Sequence, residues 1–576
     1  MVVNSTLRSA TWFAATGKIG FVHRSHTKSE GFPDDLFDGR PVIGIATSWS
    51  ELAPCNAHLH DLAQSVKAGV YEAGGFPLEF PSLALGETLL RPTAMFYRNL
   101  ASLEVEEMLR GNPLDGTVLL AGCDKTTPAL VMGATSADLP AVLLTGGPMV
   151  SGRLRNCPVG SGTDLWRLSE AVRAGEEPPD TLLEAERCVS RGAGHCTTMG
   201  TASTMACLTE AMGLQLPRSA LVPAVDGQRK VFAHMAGRRA VGLVRESTPI
   251  STFLSRAAFE NAVVANAAIG GSTNAVVHLL AMAGRAGVEL SLDDIDRIGR
   301  RVPVIVDCKP NGRFLAEDLD GAGGMPAVLV EVAEHLNLDV PTVAGRSLGE
   351  EIEGARCHDR RVVHSYDDPL FPPGNATAVL HGNLCPSGAV IKVSAASPDL
   401  LRHRGRALVF DSIEAYSEVA DRPDLDVAPD DVLVLRNSGP RGYPGMPELG
   451  NLPLPKKMLA CGVRDMVRVT DARMSGTAFG TVVLHVAPES AVGGPLAALR
   501  TGDVVALDVD RRRLDVELDD ATIAERLAGL PCHPEPPKEG GGYLRLFTEH
   551  VLQADRGADF DFLVGRRGNA VPRQST

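Results

Sequence analysis

The placing of apolar runs constrains this fold more than any other feature of the sequence. "RPVIGIATSW" (40–49), "LDGTVLLAG" (114–122) and "LPAVLLTGG" (139–147) are β-prone and almost continuously apolar. Strands of that kind are buried on both faces, the situation of a parallel sheet whose crossover connections are helices. The sequence between them supplies such helices: "HLHDLAQSVKAGVYEAGG" (58–75) reads as an amphipathic helix stopped by glycines. The last third differs. "NATAVLHGNLCPSGAVIKVS", "GRALVFDS", "DVLVLRN", "DMVRVTDARMSG", "GTVVLHVAPE" and "GDVVALDVDRRRLDVELDD" are short strands separated by Gly, Pro and Asp turns, the texture of a β-rich barrel or sandwich. At 576 residues the chain exceeds one ordinary core. Two domains are expected: an N-terminal α/β domain with a parallel sheet covered by helices (1–370) and a C-terminal β-barrel-like domain (371–576). The boundary falls within 365–375, in the polar, Pro-rich "HSYDDPLFPPGN".

Several function classes drop out early. A formal net charge of −14 argues against a nucleic-acid partner, which would require a basic face. No apolar run approaches the roughly 20 residues of a membrane helix, and the N-terminus does not read as a signal peptide, so a cytoplasmic protein is expected. Eleven cysteines in such a protein are not a disulfide scaffold; most are expected to be buried thiols and a few to be ligands. The absence of C-x-x-C removes zinc ribbons and thioredoxin motifs, and the absence of G-x-G-x-x-G and Walker A motifs leaves nucleotide binding without support.

"LLAGCDKTTPALVMG" (119–133) places Cys123, Asp124 and Lys125 in succession, where a buried strand gives way to a helix. Cys55, in "TSWSELAPCNAHLHDL", has the same setting, and Cys196, in "GAGHCTTMGTASTMACL", opens a helix after a Gly-rich loop. In open α/β sheets ligands gather at the carboxyl ends of strands, and a helix N-terminus favours a thiolate. One such cysteine is usually a small buried hydrophobe; three in polar loops, two of them with glycines, suggest a soft-metal site. Three thiolates leave a coordination position open, as in a catalytic iron–sulfur centre or in a zinc site completed by water.

Asp124 adds a hard ligand beside the soft one, pointing to a second, oxygen-loving cation such as Mg²⁺. Glu87 in "LALGETLLRPTAM" and Glu448 in "GYPGMPELGN" are further carboxylates in Gly/Pro-rich loops, where a surface Glu is the ordinary alternative. Lys125 fits beside a cation only if it ion-pairs with the ligands or loses its charge, for instance by carbamylation. In "RVTDARMSGTAFG" (468–480) a strand breaks into a Gly-flanked loop bearing Ser475. No G-x-S-x-G surrounds it, so it is a turn residue or, next to a metal, an alkoxide base.

"PCNAH", "GCDKTTP", "GHCTTMGTAST", "IGGSTNAVVHLLA", "NSGPRGYPGMPELGN" and "TDARMSGTAFGTVVLH" occur in this order, and with them the chain closely resembles the dihydroxy-acid/phosphogluconate dehydratase family from about Gly39 to Gly568. The resemblance implies an α/β N-terminal and a β-barrel-like C-terminal domain, an active site between them near a dimer interface, and a homodimer or homotetramer. It implies a [2Fe–2S] cluster on Cys55, Cys123 and Cys196, and Mg²⁺ on Glu87, Asp124, Glu448 and a carbamylated Lys125, with Ser475 as the base. "LGETLLRPTAMFYRNLASLEVEE" (85–107) resembles the pentonate and hexonate dehydratases. A hydro-lyase acting on a small-molecule sugar acid is therefore expected, with 2,3-dihydroxyisovalerate of branched-chain amino-acid synthesis as the rival substrate.

Overall fold

The computed structural model describes residues 7–530 and 541–573. Four parallel strands, β1 (Val42–Thr47), β2 (Phe76–Pro81), β3 (Gly116–Ala121) and β4 (Ala141–Thr145), form a sheet in the order β2-β1-β3-β4. Every residue of β1, β3 and β4 is buried, as their unbroken apolar sequences require. The helices Leu59–Glu72 and Gly227–Arg245 pack on this sheet, as does Thr126–Ala137, which itself packs against Ala94–Gly111. A hairpin of β5 (Gly152–Leu154) and β6 (Cys157–Val159) follows, and the chain then runs through a largely helical stretch to Ile352.

The remaining strands are β7 (Thr377–Leu380), β8 (Gly388–Lys392), β9 (Arg402–Phe410), β10 (Val432–Leu435), β11 (Arg468–Thr470), β12 (Val482–Ala487), β13 (Val504–Asp508) and β14 (Arg513–Val516). They make an eight-stranded sheet in the order β14-β13-β9-β10-β11-β12-β8-β7. Its ends nearly meet: His381, just past β7, donates its N–H to Arg512 at 2.9 Å and accepts from the Leu514 N–H at 3.0 Å. The result is a nearly closed barrel-like sheet. Its centre, β9-β10-β11-β12, is parallel, and its flanks are antiparallel.

Alternation along these strands divides two cores. Ala378, Leu380, Ile391 and Val483 point into the barrel, while Val379, Val390, Val482 and Leu484 point outward and continue the N-terminal core. The outer wall of the barrel is thereby packed against the α/β layers, and the carboxyl ends of both parallel strand sets supply the loops described next.

Of the ten cysteines among the described residues all are free, but they are less buried than their sequence context suggests. Cys123, Cys207, Cys308 and Cys385 are buried, Cys157 and Cys461 are exposed, and the others lie between. Cys532 lies outside the described residues.

Candidate active site

The sheet order explains how residues distant in sequence converge. Cys55 lies in a short turn, Pro54–Asn56, after β1; Cys123 directly follows β3. Because β1 and β3 are neighbours, their carboxyl ends are adjacent. Gly122 permits the close approach, since a Cβ there would stand 2.3 Å from Asn56 Oδ1 and 2.9 Å from the Cys55 carbonyl oxygen. The Cys123 turn is knitted by Thr126, whose hydroxyl accepts from the Cys123 N–H at 3.0 Å and donates to its carbonyl at 2.8 Å. Cys196 arrives through the loop beyond β4: the His195 N–H donates to Gly147 at 3.0 Å, and the Met149 N–H to His195 at 2.9 Å. Cys196 does not itself open a helix; the helix begins at Thr201, after a further bend.

The three thiols form one electrostatic unit. Cys123 donates to Cys55, which lowers the Cys55 pKa and raises that of Cys123, with burial adding to the rise. Burial, with repulsion from Cys55, pushes Cys196 up to about 12. Clustered thiols of this kind become thiolates when a cation shares the pocket, so the donor set fits a thiophilic metal centre.

Beside them lies a carboxylate cluster. Oxygen atoms of Glu87, Asp124 and Glu448 lie within 4.8 Å of one another. Glu87 is in the loop after β2, Asp124 follows Cys123, and Glu448 is in the loop after β10. Lys125, fully buried, extends Nζ into their midst, 3.2 Å from Glu87 Oε2, 3.1 Å from Glu448 Oε1, and in contact with Asp124 Oδ2. Burial and Arg473 oppose the Lys125 charge; the three carboxylates outweigh them and hold its pKa above the usual lysine range. Burial would raise Glu448, but Lys125 and Arg473 hold it down at about 2, whereas burial prevails at Glu87 and raises it. Glu87 Oε2 is buried without a hydrogen bond. Three carboxylates gathered around one cation, one of them with an oxygen that has an ion-pair contact but no hydrogen bond, suit a hard divalent ion.

Ser475 lies in the loop after β11, two residues beyond Arg473. Its Oγ is 2.9 Å from Thr477 Oγ1. The structure thus brings Glu87, Asp124, Lys125 and Glu448 into one cluster and Cys55, Cys123 and Cys196 into another, with Cys123 Sγ 3.5 Å from Asp124 Oδ1 where the two meet. The Ser475 loop reaches the carboxylates through Arg473.

The sequence profiles of two families match. The dihydroxy-acid/6-phosphogluconate dehydratase N-terminal model covers residues 40–351, and the corresponding C-terminal model covers residues 361–558. The chain belongs to the dihydroxy-acid/6-phosphogluconate dehydratase family. As a member it is a dehydratase, a lyase that eliminates water. Among curated relatives, an L-arabonate dehydratase of Azospirillum brasilense is 55% identical over 576 residues, 99% of each chain. An L-arabinonate dehydratase of Rhizobium leguminosarum bv. trifolii is 53% identical over 572 residues, 99% of this chain and 98% of the relative. A D-xylonate dehydratase of Caulobacter vibrioides is 40% identical over 546 residues, 92% and 91% respectively.

Against this dehydratase background, four residues stand out that sequence reasoning did not single out. Arg473, with no exposed surface, donates to Glu448 Oε1 at 3.0 Å and to Thr93 Oγ1 at 3.2 Å. Thr93 in turn donates to Glu87 Oε1 at 2.5 Å, and Asn274 donates to Glu448 Oε1 at 2.8 Å. Thr477 is the side-chain partner of Ser475. Arg473 and Thr477 flank Ser475 in "DARMSGT", and Asn274 lies in "IGGSTNAVV", so the signal was proximity to recognisable motifs.

Proposed function

We propose that this dehydratase acts on a sugar acid, an aldonate such as L-arabinonate, D-xylonate or D-gluconate, and converts it to the 2-keto-3-deoxy acid. The observation that carries this reading is the soft and hard donor sets side by side, Cys55, Cys123 and Cys196 against Glu87, Asp124, Lys125 and Glu448. The choice of an aldonate over 2,3-dihydroxyisovalerate rests on relatives above half identity that are named for L-arabonate and L-arabinonate.

In this reading the three cysteines hold a [2Fe–2S] cluster, while Glu87, Asp124, Glu448 and a carbamylated Lys125 hold Mg²⁺. When bound, these groups supply Lewis acidity at the C3 hydroxyl and at the carboxylate and C2 hydroxyl respectively. The chain's own residues do the rest. Arg473, Thr93 and Asn274 fix the directions of Glu87 and Glu448. Ser475 Oγ, as alkoxide, takes the C2 proton; an ordinary serine would be far too weak a base, so its pKa must be depressed locally. Loss of the C3 hydroxyl leaves an enol, which takes a proton at C3 on becoming the keto acid.

The same reading divides the chain into domains of 1–370 and 371–576, with the site between them. It also makes the enzyme a cytoplasmic homodimer or homotetramer. Leu52 (78% exposed) and Leu89 (63%), on the loops of Cys55 and Glu87, are apolar surface that a second copy would cover.

Turnover of L-arabinonate in D₂O tests the chemistry. One deuterium at C3 of the product and none in recovered substrate at C2 is the expected result if proton removal commits the substrate to elimination. A product without C3 deuterium would exclude the enol route.

A further inference from the structure

We propose that Trp166 is a positioning residue for Ser475, acting through Thr477; this rests on the reading of Ser475 as the base. The indole Nε1–H of Trp166 lies 3.0 Å from Thr477 Oγ1, and an indole nitrogen can only donate. Thr477 therefore accepts from Trp166, and its own hydrogen is free for Ser475 Oγ, 2.9 Å away. The Thr477 backbone N–H also points at Ser475 Oγ, at 3.4 Å. The backbone N–H donates to the serine oxygen, and the Thr477 hydroxyl must do so once that oxygen is an alkoxide with no hydrogen of its own to give, an arrangement that favours the anionic form.

The helix Thr163–Ala174, which carries Trp166, grips this loop at several points. Thr163 Oγ1 donates to the Thr477 carbonyl at 2.8 Å, and the Arg167 guanidinium lies over the Phe479 ring at 5.3 Å. Gly162, at φ +97°, leaves the room: a Cβ there would stand 2.5 Å from Thr477 Oγ1. Trp166 itself is 43% exposed, so its ring is not simply core filling. The charged groups around the loop have partners other than Ser475. Arg473 bonds Glu448, Arg167 stacks on Phe479, and Asp164 pairs with Lys309 at 2.6 Å.

Two measurements test the assignment. In the metal-free protein, ¹⁵N-indole spectra hold one signal for each of three tryptophans, and Trp166→Phe identifies the one in question. That signal should move upfield in Thr477→Val and stay in place in Thr477→Ser. In the metal-loaded enzyme, Trp166→Phe should leave KM unchanged and displace the acidic limb of the kcat–pH profile upward by up to about one pH unit, because a Thr477 hydroxyl no longer held by the indole is not fixed as a donor to the anion. An indole signal indifferent to Thr477→Val, or a Trp166→Phe profile that superimposes on the wild type while Ser475→Ala is inactive, overturns the role of Trp166 and leaves the base in place. An active Ser475→Ala overturns both.

Discussion

Lys392→Met should stabilise the protein, and by an amount that depends on pH. Lys392 ends β8 beside Thr377, is 1% exposed, and its Nζ has no hydrogen-bond partner. Burial alone pushes its pKa down from 10.5 to about 7. A depressed folded-state pKa means that the unfolded chain binds the extra proton between pH 7 and 10.5, so this group's contribution is intact above 10.5 and is lost as pH falls toward 7. At about 1.4 kcal/mol per unit, the lysine costs on the order of 4–5 kcal/mol at pH 7 but only about 1 kcal/mol at pH 9.5. Methionine has nearly the same reach and no amine to desolvate. Urea unfolding of metal-free wild type and variant, under reductant at both pH values, measures the difference. A gain of a few kcal/mol at pH 7 that shrinks by more than half at pH 9.5 is expected. No gain at pH 7, or the same gain at both, would refute the claim that Lys392 is buried as an unpaired amine.

Two further outcomes concern the donor sets. Cys123→Ser should abolish bound iron and visible absorption in reconstituted protein, while Cys207→Ser, a change in the N-terminal core, should preserve both; metal analysis with a spectrum separates them. Asn274→Ala removes the 2.8 Å donor to Glu448 without altering any charge, and should weaken Mg²⁺ binding by roughly tenfold, as read by titration calorimetry.

The strands that carry the cysteines were legible because β1, β3 and β4 are buried on both faces and end in loops with polar residues, glycine-containing after β3 and β4. "FPLEFP" gives no such signal, since two prolines in six residues argue against a strand. It forms β2 because it is the sheet edge, where missing N–H groups are tolerated. The barrel strands were readable from their turns, but not the parallel pairing at their centre, which depends on connections through the Ser475 and Glu448 loops. The ligand candidates stood out as unusual residues in unusual loops. Their supports did not: Trp166 meets Thr477 across 311 residues and Asn274 meets Glu448 across 174, contacts that no local pattern encodes. The exposure of Cys157 and Cys461 was hidden for a similar reason, because a thiol's usual burial says nothing of the hairpin and turn that hold these two at the surface.

The most direct test is a comparison of turnover by cluster-loaded, Mg²⁺-supplemented enzyme on L-arabinonate, D-xylonate, D-gluconate, D-galactonate and 2,3-dihydroxyisovalerate, with 2-keto acid formation as the readout. Rapid dehydration of one or more aldonates with little of the branched substrate is the predicted result. Preference for 2,3-dihydroxyisovalerate would contradict the sugar-acid assignment.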